Sequence, residues 1–240
     1  MQLKISLSGH NIQLPLAYSS IVQGFIYNAL SEDLSFAHHL HENGYSFNQR
    51  KFKLFTFGEP YGKYAVSGKS LIFFDKLHLE VRSVDSYMIQ LLYSHLLGAG
   101  QEYIGKNKVN IDNLSLTNKT IYSNSIKIKT LAPITVYTTE ADGYTKYFSP
   151  KEENFYEAIV DNAKRKWQSY SDEMSDFSFS ITPTANTHYT KRATTFKNTC
   201  ITAWHGEFFI SGNPELLNFL YNTGLGGKNS QGFGMFEAIE

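Results

Sequence analysis

A histidine-rich stretch at positions 38–45, HHLHENGY, holds the side chains best suited to proton transfer near neutral pH. His41 falls in the last turn of a predicted helix that ends near Asn43 and Gly44. Carbonyl groups at a helix end favour the imidazolium form, which could protonate a leaving oxygen. The alternative is a packed structural histidine, because His41 shares a helix side with Ala37. The stretch has no HExxH motif and no carboxylate at metal-ligand spacing, so it favours acid–base chemistry over a metal site.

Two further side chains could act beside such a histidine. Tyr27 lies away from the apolar stripe of its predicted helix, so its hydroxyl is available to a ligand. The alternative is an ordinary surface or interdomain tyrosine. Lys53 alternates with apolar residues on a predicted strand, and a solvated ammonium is the ordinary expectation there. If that strand lies beside the end of the His41 helix, the charge could stabilise a phosphorane-like transition state.

A glycine-rich run, GLGGKNSQGFG, occupies positions 224–234 between a predicted helix and a predicted final strand. This order disfavours a dinucleotide fingerprint or a P-loop, in which a strand comes first and a helix receives the phosphate. Glycines permit positive φ and let a backbone ligand approach the main-chain N–H groups. The alternative is a glycine-rich turn that closes a sheet.

The spacing of this run, Gly-hydrophobic-Gly, five residues and again Gly-hydrophobic-Gly, resembles the signature of the repeat-associated RNA-binding (RAMP) superfamily of CRISPR systems. Three N-terminal stretches, VQGFIYNAL, HHLHENGY and FKLFTFG, look like those of the CRISPR repeat-RNA-processing endoribonucleases, the Cas-six family. The resemblance covers essentially the whole chain. It places Tyr27, His41 and Lys53 where such enzymes commonly carry a catalytic Tyr, His and Lys, with His38 and Lys51 as alternates.

The resemblance implies a metal-independent endoribonuclease that needs no cofactor and cleaves CRISPR precursor RNA within its repeats. A 2′-hydroxyl would attack the neighbouring phosphate, leaving a 2′,3′-cyclic phosphate and a 5′-hydroxyl. His41 would be general acid or base, Tyr27 would position or activate the nucleophile, and Lys53 would neutralise developing charge. Which of His41 and Tyr27 is the base stays open at this point. The residues predicted to bind RNA are Gly224, Gly226, Lys228, Gly232, Gly234, Lys191, Arg192 and Arg50.

Two other functions fit the same features. A non-catalytic RNA-binding subunit of a CRISPR effector complex would share the folds and the glycine loop but would not cut RNA. The other is a ferredoxin-like interaction module that binds no RNA. This alternative arises because the fold hosts many unrelated functions. The expected partner is CRISPR repeat RNA, and effector-complex subunits and a second copy in a homodimer are the further partners predicted.

Composition constrains these readings only loosely. The 240 residues carry 22 Lys plus Arg and 22 Asp plus Glu, so the net charge of zero gives no nucleic-acid signal. The segment 177–206 has basic residues but no Asp or Glu, which favours phosphate contacts there. Cys200 is the only cysteine, and apolar Ile201 and Ala203 beside it predict a buried thiol. No apolar run is long enough for a membrane helix, so a cytoplasmic protein is expected.

The elements that must position these residues follow from periodicity. The first half predicts a strand at 3–7, a helix at 19–30 capped by Ser19 or Ser20, a second helix from 31–33 to 43–44, strands at 52–57, 70–75 and 77–81, a helix from 83–85 to 98, and a strand at 109–116. The second half repeats this order with a strand at 126–136, a helix opening at 149–150, strands at 177–181 and 200–210, a closing helix and a final strand. The sequence therefore predicts an α+β protein of two tandem ferredoxin-like (RRM-like) βαββαβ domains, 1–120 with the candidate catalytic residues and 121–240 with the glycine loop.

Overall fold

The computed structural model of the protein describes residues 1–171, 177–185 and 187–239. Its strands are β1 (Gln2–Ser8), β2 (Ile12–Pro15), β3 (Tyr45–Phe47), β4 (Arg50–Phe52), β5 (Phe55–Phe57), β6 (Tyr64–Ser67), β7 (Ser70–Phe73), β8 (Lys76–Ser83), β9 (Gln101–Ile104), β10 (Asn107–Thr117), β11 (Ser125–Thr130), β12 (Tyr137–Thr139), β13 (Thr145–Tyr147), β14 (Phe179–Pro183), β15 (Thr190–Phe196), β16 (Thr199–His205), β17 (Glu207–Gly212) and β18 (Phe236–Ala238). Its α-helices are α1 (Ser19–Leu30), α2 (Leu34–His38), α3 (Ser86–Ala99), α4 (Glu153–Gln168) and α5 (Pro214–Thr223). A π-helical turn, His39–Asn43, continues α2, and a 3₁₀ turn, Asn229–Gln231, lies within the glycine run.

The first half of the chain builds an antiparallel sheet in the order β5-β8-β1-β10-β9. Its first four strands have the order of a βαββαβ ferredoxin-like unit, and β9 extends one edge. Apolar residues of α1 and α3, such as Ile26 and Leu92, share one buried core with Leu3 and Ile5 of β1. The amphipathic helices therefore cover one face of the sheet, as their 3.6-residue periodicity requires.

The second half repeats this plan in a sheet of order β14-β17-β11-β18, with α4 and α5 buried against it. The predicted pair of ferredoxin-like folds is confirmed. Four smaller sheets of the described residues lie outside this plan, namely β2-β7-β6, β3–β4, β12–β13 and β15–β16, although the predicted strands at 70–75 and 200–210 include β7 and most of β16. Each is an insertion that adds no strand to either central sheet, so the βαββαβ pattern left them unaccounted for.

Several local predictions were wrong. α1 begins after Tyr18 without a side-chain cap, so neither Ser19 nor Ser20 caps it. The strand predicted over 52–57 is interrupted between β4 and β5. Cys200 is exposed, because it lies on the outer side of β16, where buried Ile201 and Ala203 occupy the alternate, inner positions.

A buried arginine joins the two halves. Arg82, on β8 of the first sheet, is fully buried and donates from Nη1 to the carbonyl of Phe236 on β18 at 2.7 Å. Its other nitrogens reach Glu80 Oε1 at 2.7 Å and Glu237 Oε2 at 3.1 Å. Its guanidinium carbon lies 3.9 Å from the centroid of the Tyr221 ring. A planar group with five donors can satisfy all these partners at once, which an ammonium could not do.

Replacing this arginine tests the link. Arg82→Met should lower the free energy of unfolding by about 3–5 kcal/mol, since it leaves the Glu80 carboxylate buried without its principal partner. Urea denaturation followed by circular dichroism would measure the loss. Arg165→Met is the matched control, because Arg165 forms a partly exposed pair with Asp161 one helical turn away and should cost less than about 1 kcal/mol. Equal losses in the two variants would contradict the role given to Arg82.

Candidate active site

The structure brings Tyr27, His41 and Lys53 into one cluster. The ring of Tyr27, on α1, lies edge-on to the ring of His41, with 5.5 Å between the centroids. The ammonium of Lys53 donates to the backbone carbonyl of His41. The side chain of His41 is 63% exposed, so it is not the packed structural histidine considered as the alternative. The cluster lies at the end of the π-helical turn, with His41 exposed and Tyr27 and Lys53 partly buried.

Gly44 lets the chain bring Lys53 to this helix end. Its φ is +58°, and a Cβ there would overlap the carbonyl oxygen of Phe52. The β3–β4 hairpin therefore closes tightly against the end of the π-helical turn. Leu54 also has a positive φ, +48°, which separates β4 from β5. Lys53 sits at this break rather than in an alternating strand, and this corrects the expectation of an outward, solvated ammonium.

Two lysines meet the negative end of the helical segment. Lys51 donates to the carbonyl of Glu42 at 2.9 Å, next to the bond between Lys53 and the carbonyl of His41. Burial lowers the pKa of Lys53, while the nearby Glu42 carboxylate opposes that shift. His38, the alternate histidine, is exposed at the end of α2. Lys51 and Lys53 therefore concentrate positive charge beside His41.

Glu42 is a member of the cluster that sequence reasoning missed. Its Oε1 lies 2.7 Å from Nδ1 of His41, and this hydrogen bond lowers the pKa of Glu42. Adjacent residues do not face each other on an α-helix, so helical spacing did not predict this contact. The π-helical turn changes that geometry and brings the two side chains together. The sequence feature that could have indicated this contact is the order His-Glu directly before Asn-Gly. A proton held between Nδ1 and Glu42 leaves Nε2 of His41 free for chemistry.

Tyr27 is half-buried between His41 and the sheet. Its ring also meets Phe55, with 6.1 Å between the centroids. Burial raises the pKa of Tyr27 to about 12, so the phenol ionises less readily than that of an exposed tyrosine. A neutral phenol can donate a hydrogen bond. To act as a base, it would first have to lose its own proton, and burial makes that ionisation unfavourable. Tyr27 is therefore suited to donate rather than to act as a base.

The glycine run packs against the protein itself. Gly224, Gly226, Gly232 and Gly234 are buried and have φ between +67° and +87°. A Cβ on Gly226 would lie 2.7 Å from the carbonyl oxygen of Thr135, and one on Gly232 would lie 2.5 Å from the Phe57 ring. These contacts account for glycine at the alternating positions, in line with the alternative of a turn that closes a sheet. The partly exposed residues, 227–231, are the part of the run that a ligand can reach.

A cleft of about 530 Å³ runs between the glycine run and the β4–β5 segment. Arg50, Lys51, Lys53, Lys166 and Lys228 line it, and no Asp or Glu among the described residues does so. The ammonium of Lys228 lies 5.0 Å from the centroid of the Tyr137 ring. Lys53 belongs both to the cleft and to the cluster around His41. The cleft is thus a cationic groove that leads to the candidate catalytic side chains.

Two predicted RNA-binding residues lie elsewhere. Lys191 is exposed on β15, and Arg192 lines a separate groove with Tyr18 and Glu59. Nη1 of Arg192 lies 3.5 Å from Glu59 Oε1, so its charge is already paired within the protein. The structure therefore does not bring this pair into the cationic cleft.

Metal sites and membrane-spanning helices are both absent from the part of the chain that the structure describes. Within residues 1–171, 177–185 and 187–239, no group of three or more His, Cys, Asp or Glu side chains could hold a metal ion. Among the helices of the same residues, none is long and apolar enough to cross a membrane.

Comparison with known proteins identifies the family. Residues 116–238 match the family model described as "CRISPR associated protein Cas6, C-terminal", over just more than half of the chain. The chain belongs to the Cas6 family. The predicted resemblance to this family is therefore confirmed.

Relatives match along nearly the whole chain. "CRISPR-associated endoribonuclease Cas6 1" of Methanocaldococcus jannaschii is 26% identical over 249 residues, covering 100% of this chain and 93% of that relative. "CRISPR-associated endoribonuclease Cas6" of Pyrococcus furiosus is 27% identical over 229 residues, covering 93% of this chain and 83% of that relative. A solved structure described as "CRISPR associated protein Cas6" has a TM-score of 0.80 at 25% identity, with 100% of this chain and 99% of that chain covered.

The region matched by the Cas6 model does not include every candidate residue. It contains the glycine run, Lys166 and Lys228. Tyr27, His41 and Lys53 precede it, so their catalytic assignment stays a prediction that rests on geometry and on the sequence resemblance.

Replacing one glycine of the run tests whether packing fixes its identity. In Gly234→Ala the added methyl group would overlap the carbonyl oxygen of Leu225. Gly68→Ala is the matched control, because Gly68 also has a positive φ but has nothing within 4 Å of an added Cβ. The control should lose about 1–2 kcal/mol of unfolding free energy from the left-handed backbone alone. Gly234→Ala should lose clearly more in urea denaturation, and equal losses would show that packing does not decide this position.

Proposed function

We propose that the protein is an endoribonuclease that cleaves CRISPR precursor RNA within its repeats to give guide RNAs. The observation that carries this proposal is the cleft, which is lined by Arg50, Lys51, Lys53, Lys228 and the buried Lys166 and by no described carboxylate, and which reaches the His41 cluster through Lys53. A polyanion is the ligand that such a groove favours. The Cas6 relatives that bear the name endoribonuclease support RNA as that polyanion.

The proposed cleavage uses the RNA's own nucleophile. The 2′-oxygen attacks the adjacent phosphorus, the bond from phosphorus to the 5′-oxygen breaks, and the products are a 2′,3′-cyclic phosphate and a 5′-hydroxyl. One group must take the 2′-hydroxyl proton and another must supply a proton to the leaving oxygen. The ammonium of Lys53 offsets the charge that develops on the phosphate oxygens. This scheme needs no metal ion.

The geometry favours one division of roles between the two candidate bases. Tyr27 keeps its proton near pH 7 as any tyrosine does, and burial, which raises its pKa to about 12, makes ionisation still harder. His41, whose Nδ1 is engaged with Glu42, has Nε2 free to accept the 2′-hydroxyl proton. We therefore assign the base to His41 and a donor role, to the leaving oxygen or to the phosphate, to Tyr27. The Glu42 carboxylate would stabilise the imidazolium that forms.

The further partners and the location belong to the same proposal. A subunit of a CRISPR effector complex and a second copy of the chain are the proposed partners beyond RNA, and the cytoplasm is the proposed location. Size-exclusion chromatography with light scattering, with and without repeat RNA, would test the homodimer.

The first functional prediction concerns His41. His41→Ala should slow single-turnover cleavage of repeat RNA by roughly 10²–10⁴-fold, the usual contribution of general acid–base catalysis. RNA affinity should stay close to that of the wild type, since the cationic residues of the cleft remain. His39→Ala is the matched control, because His39 is also exposed in the same turn. Near-wild-type cleavage by His41→Ala would reject the assignment and make His38 the next candidate.

The second functional prediction concerns the nucleophile. Replacing only the ribose on the 5′ side of the scissile phosphate by deoxyribose should abolish cleavage and leave binding intact, because the bases and the remaining phosphates are unchanged. EDTA should have little effect on the all-ribose RNA. End-group analysis should find a 5′-hydroxyl. Efficient cutting of the deoxy substrate, or a metal-dependent product with a 5′-phosphate, would reject the mechanism, and binding without any cleavage would favour a non-catalytic RNA-binding subunit.

A further inference from the structure

Lys166 is a buried cation that the cleavage scheme does not use. It lies on α4 with only 2% of its surface exposed. Its ammonium donates to the carbonyl of Gly224 and to Oδ1 of Asn229, at 3.0 Å for the latter. Both of these partners are neutral oxygens. No carboxylate of the described residues pairs with it, and a buried ammonium without such a partner is unfavourable in a folded protein.

Both partners of Lys166 belong to the glycine run. Asn229 is the centre of the turn, since its Nδ2 donates to the carbonyls of Leu225 and Phe233, each at 3.0 Å. Its Oδ1, the remaining polar atom, accepts from Lys166. The lysine thus secures the turn through the one side chain that holds the turn's two arms together.

The opposite side of the turn is held by the first half of the protein. Nε2 of Gln23, on α1, donates to the carbonyl of Ser230 at 2.7 Å. Tyr27 follows one helical turn later on the same helix. The partly exposed residues 227–231 are therefore held between Lys166 of one half and α1 of the other, at the edge of the cationic cleft.

We propose that Lys166 is a positioning residue that fixes the glycine run in its RNA-binding geometry, and that its charge is coupled to RNA bound in the cleft. This inference rests on the proposed RNA-binding function of the cleft. Lys166 acts through Asn229 and the turn, and it does not touch the reacting atoms.

Coupling to RNA follows from the burial of the ammonium. Burial lowers the pKa of Lys166 to about 7, so the free protein holds it partly neutral near physiological pH. RNA phosphates in the cleft favour the charged form and would raise that pKa. The complex would then bind more protons than the free protein, so RNA affinity should fall as the pH rises through about 7.

Other titratable or charged groups near the cleft must be held constant. Those that line it are Arg50, Lys51, Lys53, Lys228 and Tyr137. Arg165 and Asp161 lie on α4 itself. The three histidines His38, His39 and His41 lie at the far end of the cleft, beyond Lys53. All of them are retained in variants of Lys166. The difference between two variants at this one position therefore isolates its contribution.

The test measures binding of repeat RNA that carries deoxyribose at the scissile position, so that no cleavage intervenes, between about pH 6 and pH 8.5. The affinity of the wild type should fall by roughly 10-fold more than that of Lys166→Arg, which stays charged throughout. Lys166→Met should bind roughly 10-fold more weakly than the wild type at pH 6 and should lack this pH dependence. Lys164→Met, an exposed lysine on the same helix, is the matched control and should behave as the wild type.

A second measurement separates positioning from catalysis and from simple unfolding. With saturating all-ribose RNA, Lys166→Met should cleave within about 3-fold of the wild-type single-turnover rate. Asn229→Ala combined with Lys166→Met should weaken binding by less than the sum of the two single free-energy losses, because both act through the same bond. Circular dichroism establishes that each variant is folded; if Lys166→Met is not, the comparison of wild type with Lys166→Arg still decides.

Each outcome has one meaning. Wild-type binding that falls no more with pH than that of Lys166→Arg, or a folded Lys166→Met with wild-type affinity at pH 6, would overturn the role of Lys166 alone. A wild-type protein that binds no repeat RNA at any pH would instead overturn the proposed function.

Discussion

The arrangement of the two halves depends on a guanidinium that has no access to water. Arg82 extends from the first sheet and must find its hydrogen-bond partners inside the protein. They are Glu80 on its own strand and β18 of the second sheet, and its guanidinium also lies over the Tyr221 ring. A buried charge tolerates little displacement of its partners, because each lost bond leaves a desolvated group. The position of β18 is thereby fixed relative to the first sheet. The glycine run ends directly before that strand, so it is fixed as well.

This constraint explains why the candidate site is composite. Tyr27, His41, Glu42 and Lys53 all come from the first half, although the neighbours of Lys53, Phe52 and Leu54, pack in the core of the second. Lys166, Lys228 and the glycine run come from the second half and form the other wall of the cleft. A ligand that spans the cleft must contact both halves, so the angle between them matters as much as the cluster itself. Both halves supply basic side chains to the cleft, Arg50, Lys51 and Lys53 from the first and Lys166 and Lys228 from the second.

Local patterns in the sequence predicted much of this structure, and long-range partners account for most of what they missed. Amphipathic periodicity predicted both βαββαβ halves, because each helix buries one face on its own sheet. The same periodicity could not predict the burial of Lys166. Its partners, Gly224 and Asn229, lie in the glycine run, far from α4 in the sequence. Arg82 was missed for the same reason, since its acceptors belong to the last strand of the chain. Two errors were local. Cys200 was predicted to be buried but occupies an outward position of its strand. Lys53 was predicted within a continuous strand, which the positive φ of Leu54 interrupts.

The net charge of the chain does not reveal how its charged residues are distributed. The formal net charge is zero, with equal numbers of acidic and basic residues. Acidic side chains elsewhere pair with cations, as Glu59 does with Arg192 and Asp112 does with Lys76. The cleft keeps its cations and has no described carboxylate among its lining residues, so its charge is uncompensated by its own walls. Salt screens charges beyond about 8–10 Å, and a polyanion therefore senses this groove rather than the neutral molecule. Segregation of charge into one cleft can give a neutral protein a strong local preference for RNA, and it does so without the basic composition that usually marks a nucleic-acid-binding chain.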